Sequence, residues 1–280
     1  MAYRTILVHL GAERHVKPAL SMAMELAKRN NGHLVGLHVM PVAQLYGGFE
    51  AQIPADVIAM QEERHKEIAE AIRKQFEEQT SQEDISVEWR CTKPKGRALS
   101  EEIVDHGRRA DLIIATQEDP EDESLAELGV AEQLMLTSGR PVLIVPYTGA
   151  FKTVGENIMI AWNASRESAR ATFDALPLLQ QAKRVEVLWA NPAAKNADDL
   201  SISGSEIANT LARHGVRVEA AHTVNKQISI GNELLSRLAD HGSDMLVMGG
   251  YGHSRFREYV LGGATRHILQ HMTVPVLMSH

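Results

Sequence analysis

Short apolar runs, each closed by a polar turn and followed by a helical stripe, recur along this chain in a fixed order. Thr5–Leu10 (TILVHL) is the first, and the residues after it set Ala19, Leu20, Met22 and Leu26 on one helical face. Asn157–Trp162 (NIMIAW) starts the same series again, with Ala171, Phe173, Leu176 and Leu179 as its stripe. His33–Met40 and Arg184–Asn191 are the second strands, each ended by a proline, Pro41 and Pro192. Ala110–Thr116 (ADLIIAT) answers to Ser243–Gly249 (SDMLVMG), and Arg140–Val145 (RPVLIV) to Val274–Met278 (VPVLM). With third strands near Ile85 and Val216, each half reads as five strands alternating with helices.

Near-continuous Val, Ile and Leu runs predict strands buried on both faces, hence a parallel sheet between helical layers. The fold class that follows is α/β: two tandem doubly wound, Rossmann-like domains, each on a five-stranded, mainly parallel sheet. The expected domains are residues 1–149 and 153–280, joined through the polar, glycine-containing stretch Tyr147–Gly155. The halves differ in one span. Between Pro41 and Ile85 the first carries roughly twenty residues more than the second does between Pro192 and Val216. The surplus holds the loop Tyr46–Glu50 (YGGFE) and a charged helix from about Val57 to Glu78, whose charges read as a solvated face.

Composition narrows the function classes. A length of 280 residues suits two domains of about 140. A net charge of −7 excludes a general nucleic-acid binder, which needs a basic face. The single cysteine, Cys91, excludes an internal disulfide and a thiolate zinc cluster, and reads as a small buried or edge residue. No run approaches the ~18 apolar residues of a membrane helix. The start, MAYRTILVHL, enters a strand directly, so a cytoplasmic location is expected.

Ligands of a doubly wound sheet bind at the carboxyl ends of its strands. After the fourth strand of the second half runs Met248–Thr265 (MGGYGHSRFREYVLGGAT). Gly249 and Gly252 bracket a turn, Gly262 and Gly263 precede a helix beginning near Ala264, and His253, Arg255 and Arg257 add positive character. Glycines admit close approach of backbone N–H groups to an anion, and a helix start supplies unpaired N–H groups and the positive end of its dipole. Glycine clustering without a ligand is the competing reading. The loop fits neither the P-loop pattern nor G-x-G-x-x-G.

On these residues the chain resembles the universal stress protein family over essentially its whole length, as two domains in the tandem arrangement known in bacterial members. The family motif G-x2-G-x9-G-[ST] is matched by Gly249, Gly252 and Gly262, with Gly263 in place of the hydroxyl residue. The resemblance implies that Met248, Gly249, Gly252, Gly262, Gly263 and Ala264 surround phosphates and sugar, with His253 a further candidate through its positive character, and that the backbone at Ala190 meets adenine. It puts Asn163 where the family has an acidic residue on the nucleoside, exchanging a charge-assisted hydrogen bond for a neutral one. It implies ATP, with or without Mg2+, or a related adenine nucleotide as ligand; with no positioned base or arginine finger in the sequence, little or no hydrolysis is expected. It also implies that Val142–Val145 and Val276–Met278 pair within the chain to make an intramolecular pseudo-dimer. Further association into a homodimer, and any protein partner, are not readable.

The first half has Gly11 in place of Asn163, and Gln117–Glu127 (QEDPEDESLAE) in place of the glycine loop. Six carboxylates there repel a polyphosphate, so this half is expected not to bind ATP. A solvated acidic loop is the reading, with a divalent-cation site as the alternative. His267 and His271 lie one helical turn apart without a third ligand, which favours a structural pair over a metal site. His106 and His241, at equivalent helix ends, are expected to bond the last carbonyls. Three function classes stand: an adenine-nucleotide-binding stress protein, a nucleotide-independent interaction module, and, last, an enzyme on a related fold.

Overall fold

The apolar runs form strands wherever both faces of the run can be covered, and all five pairs of runs do so in the computed structural model. It describes residues 2–41, 54–94, 96–121, 129–149, 151–190, 197–224, 227–251 and 263–280. In the first half the strands are β1 (Thr5–His9), β2 (His33–Val39), β3 (Ser86–Thr92), β4 (Leu112–Thr116) and β5 (Val142–Val145). The helices between them are α1 (Glu13–Asn30), α2 (Ala55–Thr80), α3 (Leu99–Gly107) and α4 (Val130–Thr137). The second half repeats the series with β6 (Asn157–Ala161), β7 (Arg184–Ala190), β8 (Val218–Thr223), β9 (Met245–Gly249) and β10 (Val276–Ser279). Its helices are α5 (Arg166–Asp174), α6 (Leu176–Leu179), α7 (Ala197–Arg213), α8 (Ile230–Asp240) and α9 (Ala264–His271).

The strands order as β3-β2-β1-β4-β5-β10-β9-β6-β7-β8 in one ten-stranded sheet. All neighbours are parallel except β5 and β10, which pair antiparallel with Val276 opposite Ile144, Leu277 opposite Leu143 and Met278 opposite Val142. The pseudo-dimer pairing expected from the resemblance is therefore present. Its antiparallel sense sends the carboxyl ends of the two halves to opposite edges of the common sheet. One core cluster lies under α1, α2, α5, α6 and α7, the other under α3, α4, α8 and α9, and each crosses from one half into the other. Side-chain ties reinforce the junction: Tyr3 Oη donates to the Asp174 carbonyl at 2.6 Å, and Arg29 Nη1 to the Val154 carbonyl at 2.7 Å.

Two expectations are corrected. The second-half stripe breaks between α5 and α6, where Pro177 lacks the N–H that a continuous helix would need, and Phe173 is left 43% exposed. The charged face of α2 is solvated along its length, as expected, while Ile72 and Phe76 on the other face are buried in the core. His106 and His241 meet carboxylates rather than carbonyls: Glu102 at 3.7 Å and Glu186 at 2.7 Å. Cys91 is an edge residue, one of its two expected readings: it lies exposed on β3, the outermost strand. The loop Tyr46–Glu50 lies outside the described residues.

His9 and His38, at the carboxyl ends of β1 and β2, are almost fully buried. Burial pushes both imidazoles down to about 4, and for His38 the hydrogen bond to the Leu10 carbonyl only partly offsets it. A histidine neutral in the fold but protonated in the unfolded chain makes stability rise with pH between the two pKa values. Each should therefore cost up to about 3 kcal/mol of stability as pH falls from about 6.5 to about 4. Urea denaturation across that window should show the loss, and His38→Gln should remove about half of its slope.

Candidate functional site

In the second half, β6 lies between β7 and β9. The chain leaves β6 toward β7 and β8 and returns to β9 on the other side, so strand order reverses between β6 and β9. This is the position where a doubly wound sheet opens a crevice at its carboxyl edge. Asn163 follows β6, Ala190 ends β7, Met248 and Gly249 end β9, and Gly263 and Ala264 begin α9. Those six expected site residues share the carboxyl edge. Gly252, His253 and Gly262 lie outside the described residues.

Local chemistry already occupies some of them. Asn163 Oδ1 accepts from the Ser165 N–H at 3.1 Å, and Ser165 Oγ accepts from the Ser168 N–H at 3.1 Å to cap α5. Met248 is buried between Ala161 and Met278 on the neighbouring strands. Gly249 has a packing reason of its own: a Cβ there would stand 2.5 Å from the Ser168 nitrogen and the Glu167 carbonyl carbon. A side chain at Gly250 would strike Met135 Sδ of α4 in the first half, 2.1 Å away. The two glycines thus let the end of β9 lie against α5 and against the other half. Tyr251 follows at φ 52°, and its N–H donates to Thr265 Oγ1 at 3.1 Å, tying the loop to the first turn of α9. Gly263, the N-cap of α9, has no side chain with which to cap the helix.

The start of α5 is not open to an anion, because Glu167 is buried there. Burial pushes its carboxyl up, but its own amide N–H, the Arg166 guanidinium 2.9 Å away and Ser165 outweigh this and hold it below the ordinary carboxylate range. Glu167, Ser165 and Thr265 were not singled out from the sequence. Ser165 ahead of an apolar helical stripe could have pointed to an N-cap; Glu167 falls one residue short of the capping-box spacing.

The first half presents the same frame with the anion built in. Gln117, Glu118 and Asp119 follow β4 as Gly250, Tyr251 and Gly252 follow β9, and Gly129 precedes α4 as Gly263 precedes α9. Glu118 Oε1 accepts from the Gly129 N–H at the start of α4. Asp119 Oδ2 lies 3.0 Å from Arg14 Nη2 and 3.4 Å from His15 Nε2, in the first turn of α1. The expectation of a wholly solvated acidic loop is corrected here, since Asp119 is largely buried in this contact; Asp122–Glu127 lie outside the described residues. Gln117 is buried, and its Nε2 donates to the Leu269 carbonyl of α9 at 2.9 Å. Among the described residues no group of three His, Cys, Asp or Glu could hold a metal ion. His267 and His271 stack at 4.4 Å, His271 Nδ1 lying 3.0 Å from the His267 carbonyl, as a structural pair.

The packing role of Gly249 can be separated from any ligand role. Gly249→Ala should lower the unfolding free energy of ligand-free protein by about 1–3 kcal/mol, because α5 must shift by several tenths of an ångström. Chemical denaturation without nucleotide measures this.

Known structures agree with the architecture. A universal stress protein from Archaeoglobus fulgidus DSM 4304 superimposes with a TM-score of 0.70 at 14% identity, over 98% of this chain and 95% of that one. A provisionally assigned universal stress protein from Pseudomonas aeruginosa UCBPP-PA14 gives 0.63 at 16% identity, over 99% and 93%. No curated protein sequence matches the chain significantly. The sequence model of the Universal stress protein family matches twice, over residues 2–146 and 156–280. This duplicated α/β chain therefore belongs to the universal stress protein family.

Proposed function

We propose that the second half binds an adenine nucleotide, ATP with or without Mg2+, and hydrolyses it little or not at all. The observation that carries this reading is the contrast between the halves. In the first, a loop carboxylate sits on the N–H at the start of α4, and a second one is held by Arg14 and His15. In the second, the residues at the equivalent loop positions are Tyr251 and Gly252, neither of which carries a carboxylate. The start of α9 keeps the donors and dipole that favour an anion. The family motif carried by Gly249, Gly252 and Gly262 supports phosphates as that anion. Asn163 and the end of β7 at Ala190 supply hydrogen-bonding groups for the nucleoside on the adjoining strands.

No described helix is long and apolar enough to cross a membrane, and the proposed setting is the cytoplasm. The domain roles follow: residues 153–280 carry the ligand, and residues 1–149 carry a self-filled counterpart.

Isothermal titration with ATP–Mg should give saturable binding, and ATP at 100 times its Kd should stabilise the fold by about 2.7 kcal/mol. Gly262→Val should abolish both effects, whereas Asp119→Asn should leave binding unchanged. A thermal midpoint unmoved by millimolar ATP–Mg would overturn the reading in favour of a nucleotide-independent interaction module.

A further inference from the structure

Two side chains of the first half, among the described residues, reach the backbone that frames the site proposed in the second. Gln117, the residue after β4, is buried, and its Nε2 donates to the Leu269 carbonyl of α9 at 2.9 Å. Its own N–H donates to the Val145 carbonyl at 2.7 Å, and its Oε1 accepts from the Tyr147 N–H at 3.4 Å. Both ends of the amide are engaged, so its orientation is fixed. Met135, buried on α4, puts its Sδ where a side chain of residue 250 would stand. Gly250 is otherwise held by the end of β10: its N–H donates to the Ser279 carbonyl at 2.9 Å, and His280 Nδ1 lies 3.0 Å from its carbonyl.

Gln117 and Gly250 stand at equivalent positions of the two halves, as do Leu269 and Met135. Two identical halves would make one contact twice. Here the first half gives the side chain in both crossings, and the second half receives it on its backbone. The receiving elements need the support. Helix α9 has eight residues, too few to hold its place by its own hydrogen bonds. Its start has no side-chain cap, and the Leu269 carbonyl is among the last four, for which an α-helix has no N–H. Gln117 supplies that donor from the other half.

We propose that the open site of the second half is completed by the first, with Gln117 and Met135 as its positioning residues. Gln117 sets the axis of α9, and with it the direction of the N–H groups and dipole at its start. Met135 sets Gly250, one residue before the Tyr251 N–H that donates to Thr265 Oγ1 in the first turn of the same helix. Both act through α9 and the loop rather than by touching the ligand. On the nucleotide reading above, on which this rests, they govern the phosphates and not the nucleoside, whose proposed contacts Asn163 and Ala190 lie at the ends of β6 and β7. The self-filled half thereby has a task of its own: it holds the anion frame of the other half in place.

The test uses the full-length chain, titrated calorimetrically with ATP and with adenosine. Gln117→Met keeps the length of the side chain and removes the donor. It should weaken ATP about five- to ten-fold and leave adenosine affinity unchanged. In wild-type protein the Met135 methyl signal, assigned by its loss in the volume-conserving Met135→Leu variant, should shift in NMR spectra on adding ATP but not adenosine. Wild-type affinity for ATP in Gln117→Met, or a Met135 methyl unmoved by bound ATP, would overturn the proposal and leave the nucleotide reading standing. So would an equal loss for ATP and adenosine, the signature of a merely structural residue. Wild-type protein that binds neither ligand would overturn the nucleotide reading, and the proposal with it.

Discussion

The antiparallel pairing of β5 with β10 is the constraint on which the rest of the molecule depends. Each is a four-residue strand that would otherwise be an exposed, apolar sheet edge. Paired, Val142–Val145 and Val276–Ser279 become the buried centre of a ten-stranded sheet, and all eight residues are buried. Both hydrophobic layers then run continuously from one half into the other. The same pairing fixes the sense of the two halves, so their ligand edges face apart. It also brings the loop after each fourth strand against the last helix of the other half: Gln117 reaches the Leu269 carbonyl, and Gly250 makes room for Met135. Leu269 and Met135 are themselves equivalent positions, so the junction is built twice from one plan with different residues.

Within that shared frame the halves answer one electrostatic problem in opposite ways. A helix start that follows a carboxyl-edge loop presents N–H groups and a positive dipole end, and an anion there is favourable. The first half meets the need with Glu118 and Asp119. The second offers glycines, a strained Tyr251 held by Thr265, and an uncapped Gly263. Its carboxylate at Glu167 is offset by Arg166 and the local amide.

The repeat and its strands were legible because burial on both faces leaves a one-dimensional trace: unbroken Val, Ile and Leu runs such as LIIA in β4 and MLVM in β9. The inter-half pairing was reached through the family resemblance. What was hidden depends on residues distant in sequence. Gly249 reads as part of a phosphate motif, yet the backbone of Glu167 and Ser168 alone would require it to be glycine. Asp119 reads as one charge among six until Arg14 and His15, a hundred residues earlier, are seen beside it. The tie from Gln117 to the Leu269 carbonyl has no sequence signal at all, because its partners lie 152 residues apart and meet only across the junction.

The central claim is that one duplicated frame carries one open ligand site and one filled by its own side chains. Native mass spectrometry of the intact chain across an ATP titration tests it most directly. The account predicts saturation at a single nucleotide per chain; two per chain at saturation, or none, would contradict it.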